Sequence, residues 1–159
     1  MALSQELVGK HYRYPDHYQV EREKIREFTL AVKNSDAIFQ DEAIAAERGY
    51  ATLPAPLTFI SVFVYKAQIA FFDHVGVSLN DAQIVQVDQV VKYHRPVVAG
   101  DKLYCDVSVD SLRTAHGTDI IVTKNIVTNR DDEVVQESYT TLAGRSEEDG
   151  ESGFSDGTA

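Results

Sequence analysis

The chain has 159 residues, a formal net charge of -10 and a hydrophobic fraction of 43%. This length suffices for one domain with a real buried core. The acidic balance argues against nucleic acid and anionic membranes as partners, because both bind basic surfaces. No apolar run approaches the roughly 20 residues of a membrane span, and no basic leader precedes one. The sequence therefore predicts a single cytoplasmic domain.

The first fifty residues predict loops and two short helices. A loop-rich lead-in with a short strand near residues 18–20 comes first. Residues 21–34 carry apolar side chains on one helical face and acidic residues in the first turn, where they favour the helix dipole. A shorter helix is predicted before Gly49, because glycine suits the left-handed residue that follows a helix.

The strongest single pattern is the apolar run that follows Pro54 and Pro56. Proline is tolerated in the first turn of a helix, and the residue before it avoids the helical region. From Leu57 to Phe72 the only formal charge is Lys66, and apolar residues occupy every side of the helical wheel. A helix that is apolar all round is buried. The run therefore predicts one central buried helix over residues 57–72.

Four segments after this helix alternate between apolar or β-branched and polar residues, with turn signals between them: 84–94, 103–110, 118–128 and 134–143. Such a series predicts an antiparallel meander, and with the helix an α+β arrangement. The lone Cys105 lies on the apolar side of the second strand, where a buried structural thiol is expected. The domain is predicted to cover residues 1–144. Residues 145–159 are acidic and rich in Gly and Ser, which predicts a disordered tail.

The order of these elements resembles that of a known protein family, and three sequence segments support the resemblance: EREKIREFTLAV, Ala55-Pro56-Leu57-Thr58, and HRPVVAGDKL at 94–103. Over residues 5–144 the chain resembles the MaoC-like (R)-specific hydratases and dehydratases, and within them the (3R)-hydroxyacyl-ACP dehydratases of type II fatty acid synthesis. The resemblance implies a single hotdog fold, in which an antiparallel sheet wraps around a central buried helix.

The family's catalytic loop follows the pattern Asp-x-Asn-Pro-x-His, whose acid and imidazole move protons during loss of water. Here the aligned segment reads Asn34-Ser35-Asp36-Ala37-Ile38-Phe39. The aspartate position holds Asn34 and the histidine position holds Phe39, and neither side chain can carry a proton. We therefore predict no catalytic residues in this chain. Asp36 is expected to be a helix cap rather than a catalyst.

The resemblance also implies where an acyl chain would lie, beside this loop and along the helix. The predicted substrate-binding residues are Ile38, Phe39, Phe59, Ser61, Phe63 and Val64. An apolar lining suits an alkyl tail, since each buried methylene contributes ~0.8 kcal/mol. Neither a metal-ligand cluster nor a phosphate-binding glycine loop is present in the sequence, so no metal and no cofactor are expected.

Two functions of different classes remain open from the sequence. The first is a non-catalytic, acyl-chain-binding subunit of a heterodimeric (3R)-hydroxyacyl-ACP dehydratase in fatty acid or mycolic acid elongation. Its partners would be a catalytic hotdog subunit that supplies the Asp/His pair and an acyl chain carried on acyl carrier protein. The second is a stand-alone homodimeric acyl-thioester binding module that performs no reaction.

Overall fold

The computed structural model describes residues 3–146 and 152–156. Its helices are α1 (Arg22–Ala31), α2 (Glu42–Glu47) and α3 (Ser61–His74). Its strands are β1 (His11–Arg13), β2 (Tyr18–Gln19), β3 (Val77–Leu79), β4 (Ile84–Tyr93), β5 (Lys102–Ala115), β6 (Thr118–Thr128), β7 (Val134–Arg145) and β8 (Phe154–Asp156). The predicted α+β hotdog fold is confirmed.

The main sheet has the strand order β1-β5-β6-β7-β4, and β2 pairs with β5 beside β1. Every pairing in it is antiparallel. The four predicted meander strands all form. The second runs on to Ala115, because β5 bends at a register shift between Val109 and Ser111 and continues its pairing with β6. Within the described part of the chain β4 has β7 as its one neighbour, so it lies at an edge of the sheet.

The central helix packs against the concave face of this sheet. A 3₁₀ turn over Leu57–Ile60 leads directly into α3. Phe63, Ala67 and Phe71 are buried, and they face the row of apolar residues on β5 that begins at Leu103. This confirms the prediction of a buried helix. Leu57 is an exception, since its side chain is 65% exposed.

The C-terminal segment departs from the sequence prediction. Residues 152–156 do not behave as a disordered tail: β8 pairs antiparallel with β3, and the side chain of Phe154 is fully buried. Phe154 is the one large apolar residue after position 145, and its burial offsets part of the entropy of ordering this short strand. The remainder of the predicted tail, residues 147–151 and 157–159, lies outside the described residues.

A search of the described helices for a membrane span finds none of sufficient length and hydrophobicity.

Candidate functional site: a groove beside the central helix

The site loop, residues 34–39, is held by its own polar side chains. Asn34 Oδ1 accepts a hydrogen bond from the backbone N–H of Asp36 at 3.0 Å. Asp36 Oδ1 in turn accepts one from the N–H of Ile38 at 3.1 Å, which caps a 3₁₀ turn over Ala37–Phe39. Both side chains therefore have structural roles in the loop, and the geometry gives Asp36 the cap that the sequence predicted.

A groove begins at this loop and follows α3 toward its C-terminal end, with the helix on one side and β4 and β7 on the other. Its first section has a volume of about 300 Å³. The lining is mainly apolar and aromatic, and includes Phe39, Tyr50, Leu57, Ile60, Tyr93 and Val97. Ligand pockets commonly have this composition.

More amide and hydroxyl side chains line the middle of the groove. Its second section, of about 110 Å³, shares Leu57 and Ile60 with the first and adds Ser61, Val64, Gln89 and Ser138. The third section, of about 410 Å³, shares Ser61, Val64 and Gln89 with the second. Neighbouring sections share lining residues, so they follow one another along the helix.

The fourth section, of about 180 Å³, lies at the far end of α3 and is again mainly apolar. It shares Tyr65, Gln68 and Gln86 with the third section. Beyond them it is lined by Ile69, Phe72, Leu79, Ile84 and Leu142. The groove thus has two apolar ends that are joined by a stretch of amides and hydroxyls.

A buried polar contact fixes the helix above the middle of the groove. Gln68 Nε2 donates a hydrogen bond to Thr123 Oγ1 at 2.7 Å, between α3 and β6. On the neighbouring strands Asn125 Nδ2 donates to Ser138 Oγ at 3.3 Å. These amides and hydroxyls are buried and neutral. They offer hydrogen bonds but no proton transfer at neutral pH.

The structure brings three of the six predicted substrate-binding residues to the groove. Phe39 lines the first section, and Ser61 and Val64 line the second. Ile38 is partly buried against the core and lines none of the four sections.

Phe59 and Phe63 point away from the groove, on the opposite side of the helix. The rings of Phe59 and Phe28 pack edge to face at a centroid distance of 5.5 Å. Phe63 stacks on Tyr18 at 5.4 Å. The sequence could not separate these faces because the helix is apolar all round.

The polar half of the groove was not predicted from the sequence. It includes Gln89, Gln136 and Ser138. On β7 the inward residues Gln136 and Ser138 alternate with the outward residues Glu137 and Tyr139, so polar groups occupy both faces of the strand. When polar residues occupy both faces of a strand, the sequence does not indicate which face is buried.

The groove lacks an acid–base pair among its lining residues. The strongly charged side chains that line it are Arg95 in the first section and Asp81 in the fourth. Arg95 forms an ion pair with Glu133 at 2.6 Å. Groups with shifted pKa values lie elsewhere: burial raises the pKa of the Cys105 thiol to about 12, and a hydrogen bond from His94 lowers the pKa of Glu137. The lining of the groove is therefore mainly neutral, with one charged residue in the first section and one in the fourth.

An antiparallel sheet around a central helix, with a groove between the helix and the edge of the sheet, defines a hotdog-fold protein. The chain belongs to the family described as FAS1-like, dehydratase domain region, whose model matches residues 6–138. This is a dehydratase family, so the family as a whole performs hydro-lyase chemistry.

Relatives and solved structures agree with this assignment. The UPF0336 protein Rv0635 of Mycobacterium tuberculosis is 69% identical over 159 residues, which cover 100% of both chains. A C-terminally truncated HadBC (3R-hydroxyacyl-ACP dehydratase) complex from Mycobacterium tuberculosis contains a chain that is 45% identical, with a TM-score of 0.81 over 89% of this chain and 100% of that one. The R-hydratase PhaJ1 from Pseudomonas aeruginosa is 18% identical, with a TM-score of 0.65 over 88% and 83% of the two chains, and it shows the shared fold.

Proposed function

We propose that this chain is the non-catalytic, acyl-chain-binding subunit of a heterodimeric (3R)-hydroxyacyl-ACP dehydratase that acts in fatty acid or mycolic acid elongation. A catalytic hotdog partner supplies the acid–base pair, and the substrate is an acyl chain carried on acyl carrier protein. The proposal also places the protein in the cytoplasm. The lone Cys105 is buried and free, as suits a reducing compartment.

The observation that carries the proposal is the site loop. The family requires an aspartate and a histidine there, and this chain has Asn34 and Phe39 at those positions. The remaining carboxylate, Asp36, accepts a hydrogen bond from a backbone N–H of the same loop. General acid–base catalysis needs groups that gain and lose protons near the working pH. An amide and a phenyl ring do neither, so the chemistry must come from another chain.

The edge strand β4 supports the second half of the proposal, a partner subunit. Its side chains are exposed on both faces, and Val85, Val87 and Val90 are 60%, 56% and 48% exposed. An open edge that carries apolar residues is a template for pairing with another strand. The homologous HadBC protein is described as a complex. A second hotdog sheet added at β4 would cover these valines and the adjacent side of the groove.

The groove supports the acyl chain as ligand. It is elongated, it follows the helix past several turns, and both of its ends are mainly apolar. An alkyl tail gains about 0.8 kcal/mol for each methylene that it buries there. With a net charge of -10 this chain is poorly suited to contact an acidic carrier protein directly, so the carrier is expected to dock on the partner.

The test is reconstitution. The chain is purified alone and together with hotdog proteins of the same organism that carry the Asp-x-Asn-Pro-x-His loop, and each preparation is assayed for hydration of an enoyl thioester. We expect no turnover from the chain alone and turnover from a stable one-to-one complex. Turnover by the isolated chain would contradict the proposal. A homodimer that binds acyl thioesters and ignores every catalytic partner would favour the stand-alone binding module.

A further inference from the structure

The fourth section of the groove is the one farthest from the site loop, and two of its lining residues, Phe72 and Leu79, pack against a C-terminal residue, Phe154. We infer that Phe154 sets the longest acyl tail that this chain accepts, an inference that rests on the proposed acyl-binding function. Phe154 belongs to the short strand β8.

Phe154 is inserted into the protein. Its side chain is fully buried, and its ring centroid lies 6.3 Å from that of Phe72 on α3. In the β3–β8 ladder it pairs with Leu79. Its ring also lies against the backbone of Gly144 on β7, where an added Cβ would meet Phe154 Cε2 at 2.6 Å. Phe154 thus contacts the central helix, the main sheet and the small β3–β8 sheet together.

Backbone hydrogen bonds keep this residue in its position. The N–H of Gly153 donates to the carbonyl of Arg145 at 2.8 Å, and the N–H of Asn80 donates to the carbonyl of Gly153 at 2.8 Å. Gly153 lies so close to the residues before β4 that an added Cβ would be 2.8 Å from the Gln83 carbonyl oxygen. These contacts fix the segment before Phe154, and pairing of Ser155 with Ser78 in the β3–β8 ladder fixes it after Phe154. The ring cannot shift without loss of these contacts.

The residues that Phe154 contacts also line the fourth section of the groove. Phe72 and Leu79 belong to both sets. Ile84, which also lines this section, is adjacent to Gly153. The Phe154 ring therefore lies directly behind this part of the wall of the fourth section. A ligand that reaches this part of the wall can extend further in that direction only if the ring is made smaller or displaced.

The attachment of the acyl chain to its carrier protein decides which end of an acyl thioester reaches the wall of the fourth section. The thioester end is attached to a carrier protein that stays outside the groove, so only the free methyl end can enter the fourth section. From Ser61 to Phe72 the helix rises by about 16 Å, at about 1.5 Å per residue. An extended chain advances about 1.2 Å per bond, so this distance accommodates roughly a dozen carbons. Chains longer than the groove would press on Phe72 and the ring of Phe154 behind it.

The experiment measures affinity in a homologous series of straight-chain acyl-pantetheine thioesters, with the full-length chain in its complex. For the natural protein we expect affinity to rise with chain length and then fall sharply. In the Phe154→Ala variant the acyl length at which affinity drops should be greater. Each further methylene that becomes buried should raise affinity about fourfold. Phe154→Leu, which removes less volume and is expected to keep the fold better, should move the fall in the same direction by a smaller amount.

The matched control is Phe63→Ala. Phe63 is 1% exposed, it stacks on Tyr18 on the opposite side of α3, and it lines none of the four sections of the groove. It should lower the melting temperature without changing the length at which affinity falls. An unchanged length limit in both Phe154 variants, with binding otherwise intact, would overturn the inference and leave the proposed function standing. Failure of the natural complex to bind any member of the series would instead overturn the proposed function, and this inference with it.

Discussion

Gly144 on β7 lies directly under the ring of Phe154, so closely that a methyl group on its α-carbon would be 2.6 Å from Phe154 Cε2 and 2.8 Å from Cδ2. The C-terminal strand can pack on the sheet because this position has no side chain. We expect Gly144→Ala to destabilise the protein by ~1–3 kcal/mol through overpacking, as measured by urea unfolding. A value near zero would show that the ring moves aside freely.

The double variant Gly144→Ala/Phe154→Leu separates this contact from other effects of the alanine. Leucine removes the ring atoms that the added methyl would meet. The loss in the double variant should therefore be smaller than the sum of the two single losses, by about 1 kcal/mol. If the stability loss of the double variant equals the sum of the two single losses, the cost of alanine at position 144 does not arise from its contact with the Phe154 ring.

The sequence predicted the central helix and the four long strands because their patterns are strong. The run from Leu57 to Phe72 is apolar throughout, and β5 alternates strictly between buried apolar and outward polar residues from Leu103 to Val109. The strand β8 gave no such signal, since three residues with one aromatic side chain are too few for a period. Its position depends on the space above Gly144, which is a property of the folded sheet.

The candidate site could be predicted only in part, for a similar reason. Asn34 and Phe39, on which the predicted absence of an acid–base pair depends, could be read directly from the sequence, because that prediction uses residue identity alone. The sequence did not show which face of α3 lines the groove, since both faces are apolar. Phe59 and Phe63, two of the predicted binding residues, lie on the side away from the groove. Gln89 and Gln136 also lie on strands that give no clear inside and outside.

The single cysteine offers a test of core packing. The side chain of Cys105 is fully buried, and burial raises the pKa of its thiol to about 12. Because the thiolate is the reactive form, the native protein should react negligibly with a thiol-specific disulfide reagent near pH 8, and raising the pH by one unit should not restore the reaction. In denaturant the same thiol should react fully. Rapid reaction of the folded protein would place Cys105 near the surface.

The role of Asp36 can be separated into capping and catalysis. Asp36→Ala should lower the free energy of unfolding by about 1 kcal/mol, because the N–H of Ile38 loses its acceptor. Asp36→Asn retains an acceptor oxygen and should cost less. Dehydratase activity of the reconstituted complex should be the same for the natural protein and the Asn variant, when stability is monitored by thermal melting. A large loss of turnover in Asp36→Asn, with unchanged stability, would instead give this carboxylate a part in the reaction.

Assembly at the edge strand can be tested with two equally exposed valines. Val90 on β4 and Val32 just after α1 are both 48% exposed. Val90→Glu places a charge where the partner sheet is proposed to pair, and it should weaken the complex by at least about tenfold, or 1.4 kcal/mol. Val32→Glu is the matched control and should leave assembly unchanged. Native mass spectrometry of each variant with the catalytic partner measures the result, and equal complex formation by both would move the interface away from β4.

The last prediction concerns the path of the acyl chain, and Ser61 is the position at which to test it. Its side chain is exposed at the junction of the second and third sections, and Ser61 Oγ donates a hydrogen bond to the carbonyl of Thr58 at 2.7 Å. Ser61→Trp would fill the middle of the groove without overpacking the core. Val64→Trp is less suitable, because Val64 is already buried and a larger side chain there would strain the fold.

We expect Ser61→Trp to abolish turnover of long acyl substrates by the complex while short substrates retain most of their rate, because only long tails must pass this point. Lys66→Trp is the matched control: it adds the same side chain to an exposed position of α3, where the Lys66 ammonium lies 5.7 Å from the ring centroid of Tyr14, outside the groove. The control should leave both rates unchanged. Steady-state assays with paired short and long enoyl thioesters give the comparison. If Ser61→Trp lowered both rates equally, the acyl tail would not run along this helix and the chain would act as a scaffold for its partner.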